Sequence, residues 1–299
     1  MINEGRITRE FVAHGRVEDC PVIDTHAHFG PYQAIYFPRH HPDSVIDTMK
    51  RCGIPWMLMS GHQALVGTTR GNAEIAALVA EYPDHFRGWW VLNPNYPERL
   101  QAEVDGFEAL NERASSQPTD GSNEPVGRAF SLPPFIGFKL HPNMHGASLS
   151  DDEYTPAFEY ADAHDLPILS HTWQGAGTAS YREVAVVAEK YPNIRFLMGH
   201  AGYGDWEESA KVARDHEHVY LELTAAYSVR GALEIMCEFA GSRKITFGTD
   251  HPWFDPHYGI GCILSAYITD EDRRNIFYRN ARRIFGLPLE GIGAPGDSD

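Results

Sequence analysis

At 299 residues, with 42% hydrophobic and 22% charged residues, the chain has the make-up of an ordinary globular protein and is long enough to bury a large core. A net charge of −16 disfavours a nucleic acid backbone or an anionic membrane as partner, and no apolar run is long enough to span a bilayer. The four cysteines, Cys20, Cys52, Cys237 and Cys262, form no CxxC pair, which argues against a disulfide framework and against a cysteine-held zinc ion.

Residues 1–20 carry charges throughout and show no apolar leader core, so they read as an N-terminal extension of a cytoplasmic protein. From there, short β-branched runs alternate with helical patterns, the sign of parallel βαβ units. The strand segments are "PVIDTH" (21–26), "IPWMLMS" (54–60), "GWWVLN" (88–93), "FIGFKLH" (135–141), "LPILSH" (166–171), "IRFLMGH" (194–200), "VYLELT" (219–224) and "KITFGTD" (244–250). Helical patterns between them include "DSVIDTMKRC", "NAEIAALVAEY", "TPAFEYADAHD", "YREVAVVAEKY" and "ALEIMCEFA". "TDEDRRNIFYRNARRIFG" opens on a Thr/Asp cap and reads as a closing helix. Eight such units predict one α/β domain over 1–299, a (β/α)8 TIM barrel with its active site at the C-terminal ends of the strands. Residues 111–132, rich in Ser, Pro, Gly and Asn, predict a long surface loop, and 288–299 a frayed tail.

The chemistry-bearing residues fall on that rim. His26 and His28 end the first strand segment, His141 the fourth, His171 the fifth, His200 the sixth and Asp250 the eighth. Side chains two apart in an extended chain share a face, so His26 and His28 aim together. Alone, an HxH pair reads equally well as two hydrogen-bonded histidines. With His171 and Asp250 on the same rim it becomes an N3O donor set for one divalent ion, zinc first, with manganese or iron(II) also suited. Trp173 and Trp253 follow His171 and Asp250 closely and are either pocket walls or core; His62, ending the second strand segment, is a further rim candidate. Tyr32 lies in the loop after the first strand, a position that often faces substrate, and Asn93 and Asn95 read as turn formers.

In chain order, "VIDTHAHFG", "GWWVLNPNYPE", "GFKLHPNMHG", "LPILSHTW", "RFLMGHAG" and "FGTDHPWFDP" closely resemble the amidohydrolase superfamily, in particular the amidohydrolase-2 group that includes aminocarboxymuconate semialdehyde decarboxylase. The resemblance runs from about Pro21 to Gly286. It implies a distorted barrel, metal ligands His26, His28, His171 and Asp250, His200 facing the substrate or the water on the metal, and a homodimer. Lys139 stands where two-metal members carry a carbamylated lysine or a glutamate. It reads either as that bridge or, in preference, as an ammonium for a substrate carboxylate. His141 shares its face as a substrate contact or a hydrogen-bonded support.

These parts lead to an expectation of hydrolysis of a small amide, lactone or ester. The metal activates water and polarises the carbonyl, Asp250 moves the proton, and His200 steadies the charge on oxygen. The alternative from the same constellation is non-oxidative decarboxylation of a small carboxylic acid. Lys139 tips the resemblance toward hydrolases. A third reading, a non-catalytic metal-binding barrel, fits poorly, because structural zinc sites are closed and cysteine-rich.

Overall fold

The computed structural model describes residues 5–67, 70–115, 132–175 and 177–288. Eight strands, β1 (Ile23–Phe29), β2 (Trp56–Gly61), β3 (Phe86–Val91), β4 (Phe135–Leu140), β5 (Pro167–Trp173), β6 (Arg195–Tyr203), β7 (Val219–Glu222) and β8 (Ile245–Thr246), pair in parallel in that order. Each overlaps a strand segment expected from the sequence, the last only in part. Their near-continuous apolar runs follow from burial on both faces, one against the sheet interior and one against the surrounding helices. Trp89, Phe86, Phe135, Phe138, Phe196 and Phe247 are fully buried and fill that core.

The helices obey the expected stop signals. Pro42–Cys52 opens with proline in its first turn, buries Val45, Ile46, Met49 and Cys52 on one face, and ends at Gly53, whose φ of 72° is left-handed. In the closing segment Thr269 caps Asp270–Arg274 and makes a reciprocal box with Asp272. That helix continues as a π-turn over Asn275–Arg279 and then as Asn280–Phe285. Asn93 Oδ1 accepts from the Asn95 amide at 3.0 Å, the turn role expected of it. Among the described residues no helix is long and apolar enough to cross a membrane.

Two of the expected segments differ. The N-terminal extension contains a helix, Arg6–His14, which buries Ile7 and Thr8. The predicted loop begins too early: Asn111–Ser115 belong to the helix Pro97–Ser115, because the Asn111 amide brackets Phe135, donating to its carbonyl at 2.9 Å and accepting from its N–H at 3.2 Å. The rest of that loop, 116–131, and the tail from 289 lie outside the described residues.

The last strand is only two residues long, and the reason positions the site. Beyond Thr246 the chain leaves β7 and lies along β1. Thr25 N donates to Phe247 O at 2.9 Å, Asp250 N to His26 O at 2.7 Å and His28 N to His251 O at 2.6 Å. The buried Asp24 carboxylate adds a side-chain clasp, accepting from the Thr249 N–H at 3.0 Å, the Thr249 hydroxyl and the His26 N–H at 3.1 Å. Burial pushes Asp24 up to about 8 against the pull of these donors. The curled sheet is thus closed by the segment that carries Asp250.

Candidate active site

At this seam His26, His28 and Asp250 bring one donor atom each to within 4.8 Å of one another. His28 Nε2 lies 2.8 Å from Asp250 Oδ1 and His26 Nε2 lies 3.5 Å from the same oxygen. The far nitrogen of each ring is held: His26 Nδ1 by Glu222 Oε2 at 2.6 Å, His28 Nδ1 by Ser60 Oγ at 2.8 Å. Donation from His26 Nδ1 to a carboxylate leaves the Nε2 lone pair directed at the cluster, as a metal-ligating imidazole requires. The residues therefore fit a divalent cation. Burial pushes His26 well below the ordinary imidazole range, and it would push the Asp250 carboxyl up. The bond from His28 and the surrounding imidazoles outweigh that effect and hold Asp250 well below the usual carboxylate range.

All ten residues expected at the site, His26, His28, His62, Lys139, His141, His171, Trp173, His200, Asp250 and Trp253, line one cavity of about 330 Å³. His171 stands outside the three-donor cluster. Its ring lies 4.5 Å from that of His200, which in turn lies 5.2 Å from His26, and its ring nitrogens make no hydrogen bond among the described residues. His200 faces Thr224 O through Nδ1 at 3.1 Å, so Nδ1 carries the proton and a lone pair on Nε2 faces the cavity. Burial lowers it to about 3, and the ring stays neutral, an acceptor rather than the donor expected for a developing oxyanion.

Two stacks of rings flank the cavity. On one side Phe37, His62 and His28 lie nearly parallel, with centroids 5.6 and 5.0 Å apart. On the other, His141, His171, Trp173 and Tyr203 follow at 4.2, 5.7 and 4.1 Å, all within 12° of parallel. His141 and His62 thus back the imidazoles beside them. His141 Nδ1 also accepts from Met144 N at 3.3 Å, starting the short helix Pro142–His145. His200 and Asp250, with φ of 65° and 63°, are left-handed non-glycine residues, a conformation that costs roughly 1–3 kcal/mol each and persists where surrounding bonds enforce it.

Lys139 is buried, and its Nζ donates to His26 Nε2 at 2.7 Å. Burial lowers the ammonium to about 8, opposed by the charges of Asp250 and Glu222. Glu222 is the residue that sequence reading missed. Its Oε1 accepts from Thr224 N and Oγ1 at 2.8 and 2.7 Å, its Oε2 holds His26, and burial raises it to about 7. A carboxylate in the apolar run "VYLELT" at the rim end of a strand was the available signal, since a buried charge needs partners. Tyr32, Leu65, Met144, Ala225 and Phe254 complete the lining.

The chain belongs to the amidohydrolase family, whose model matches residues 23–287. Two curated relatives, gamma-resorcylate decarboxylases from Rhodococcus jostii and Polaromonas sp. JS666, are each 23% identical. The alignments cover 73% and 82% of this chain and 76% and 87% of theirs. Among solved structures, a dihydroxybenzoic acid decarboxylase from Polaromonas sp. JS666, with bound manganese and the inhibitor 2-nitroresorcinol, matches with a TM-score of 0.65. It is 19% identical, over 90% of this chain and 97% of that one. These relatives overturn the expectation of hydrolysis: both curated ones break a carbon–carbon bond to a carboxylate. The weight given to Lys139 misled, because it rested on the resemblance alone, and a buried ammonium is as compatible with a carboxylate substrate as with an amide or ester.

Proposed function

We propose that this enzyme is a metal-dependent, non-oxidative decarboxylase of a phenolic aromatic acid. The observation that carries the reading is the cavity itself, in which a buried ammonium stands beside a two-histidine, one-carboxylate cluster between walls of stacked rings. The curated relatives support the substrate class. His26, His28 and Asp250 hold the cation, with His171 completing the set. Manganese is favoured over zinc, on the support of the manganese-bound neighbour.

A divalent cation there supplies Lewis acidity toward the oxygen atoms of a bound acid. The His26 Nε2 lone pair serves one partner at a time; with His26 engaged as a metal ligand, the Lys139 ammonium would be free to pair with the substrate carboxylate. His200 Nε2 accepts a hydrogen bond from a ring hydroxyl. Asp250, kept ionised at rest, takes the proton of the hydroxyl beside the carboxylate and delivers it to the ring carbon bearing that carboxylate. The bond between that carbon and the carboxylate then breaks, its electron pair returns to the ring, and carbon dioxide leaves. A solvent proton restores the hydroxyl.

The test is incubation of the manganese-loaded protein with 2,6-dihydroxybenzoate in deuterium oxide. Resorcinol carrying one deuterium at the vacated carbon is expected. No carbon dioxide from a panel of mono- and dihydroxybenzoates would sink the proposal.

A further inference from the structure

We infer that Trp253 sets the ring size the cavity accepts and that His62 is the positioning residue that fixes its indole. The inference rests on the aromatic-acid reading above and goes beyond it, to the residue that selects among such acids.

Trp253 N donates to Asp250 O at 2.8 Å, so the indole rides on the turn that carries the cluster's carboxylate. It lines the cavity and is 38% exposed, which places it at the mouth. Its Nε1–H donates to His62 Nε2 at 3.0 Å, and His62 Nδ1–H donates to Gly30 O at 2.8 Å. Both nitrogens of His62 are therefore engaged. It can neither hold a cation nor exchange a proton with substrate without breaking a bond, so the role left to it is orientation. Its ring is clamped in the stack between His28 and Phe37.

The indole is packed again by two aromatic rings. Tyr32 and Phe37 approach it edge-on, each with centroids 5.1 Å away and interplanar angles of 65° and 70°. Three chain segments meet at this ring: the loop after β1, the residue following β2 and the turn after β8. A ring tied at one edge and packed by two neighbours has no rotamer freedom to yield to a larger ligand. The cavity, at about 330 Å³, is near the lower end of small-molecule sites, room for a single ring and its substituents. A second fused ring needs Trp253 to leave.

Calorimetric binding to the manganese-loaded full chain tests this without turnover, using 2-nitroresorcinol as the one-ring probe and 1-nitro-2-naphthol as the two-ring probe. Wild type is expected to prefer the one-ring probe by about tenfold or more, the scale on which a rigid pocket rejects extra bulk. Trp253→Ala should narrow that ratio by about tenfold at unchanged metal content. His62→Phe keeps the stack but removes the acceptor, and should move the ratio the same way. His62→Gln restores an acceptor and should return it toward wild type. An unchanged ratio in Trp253→Ala with metal still bound overturns the inference and leaves the aromatic-acid reading standing. If wild type binds neither probe, the aromatic-acid reading falls and takes the inference with it.

Discussion

Lys139 and His26 meet through one hydrogen bond, Nζ to Nε2 at 2.7 Å, with both side chains buried. The imidazole nitrogen that a cation would take is thus the one the ammonium uses. Lys139→Met should leave metal stoichiometry unchanged while lowering kcat/KM for a carboxylate substrate by roughly 10- to 150-fold, the worth of a charged hydrogen bond of about 1.5–3 kcal/mol. Steady-state kinetics with elemental analysis checks both halves. Metal lost along with the lysine would make Lys139 part of the ion's own coordination.

Among the described residues Glu222 hydrogen-bonds to the three-donor cluster through His26, so its effect should be read in affinity before chemistry. Glu222→Gln should weaken metal binding by about 10–100-fold, as loss of an outer carboxylate partner does. His28→Ala should lose metal and turnover together, and Asp250→Asn should lose turnover more than metal. Competition against a chelator of known affinity ranks the three variants; wild-type affinity in Glu222→Gln would contradict this account of His26.

The Asp24–Thr249 clasp makes a prediction about stability. Thr249→Val keeps the shape but deletes the hydroxyl that donates to Asp24 and accepts from the His251 N–H at 3.0 Å. Two buried groups lose a partner, at a cost of about 1–3 kcal/mol, and Thr249→Ser should recover most of it. Urea unfolding of the metal-free protein measures the difference; equal midpoints for valine and threonine would refute the role of the clasp.

Acid should weaken the metal-free fold for a reason separate from the carboxylates. Burial lowers His62 and His200 from 6.5 to about 3, and His251 from 6.5 to about 4. Below pH 6.5 the unfolded chain therefore binds protons that the folded chain refuses. The contribution of these rings is complete above that value and is lost progressively as pH falls toward 4 and then 3. Asp24 and Glu222, raised to about 8 and about 7, take up protons in the folded chain over the same range and blunt the loss. The Tm of chelated protein should still fall between pH 6 and 4.5, since three rings outnumber two carboxyls, and a Tm that rises there would contradict the lowered rings.

The barrel was readable from periodicity because each strand is a short apolar run buried on both faces. The rim was readable because "THAH", "LSH" and "MGH" stand toward the C-terminal ends of their strands and "GTD" follows the last one. What escaped depended on contacts far along the chain. Asn111 extends a polar-looking helix by gripping Phe135. Glu222 looks like a misplaced charge until His26 and Thr224 are beside it. His62 reads only as a rim candidate, since its bonds to Trp253 and Gly30 join segments far apart in the chain. The reaction itself was misread for a related reason: a cation polarises a carbonyl and a carboxylate alike, and the choice between them lies with the shape and lining of the cavity.

The clasp joins residues 225 positions apart in the chain, one beside the two histidines of β1 and the other next to Asp250. In synthesis the two histidines of β1 come long before their carboxylate partner. A cation that needs all three donors will find no home on a half-made chain. A domain whose first and last strands have not met would bring only part of that donor set together.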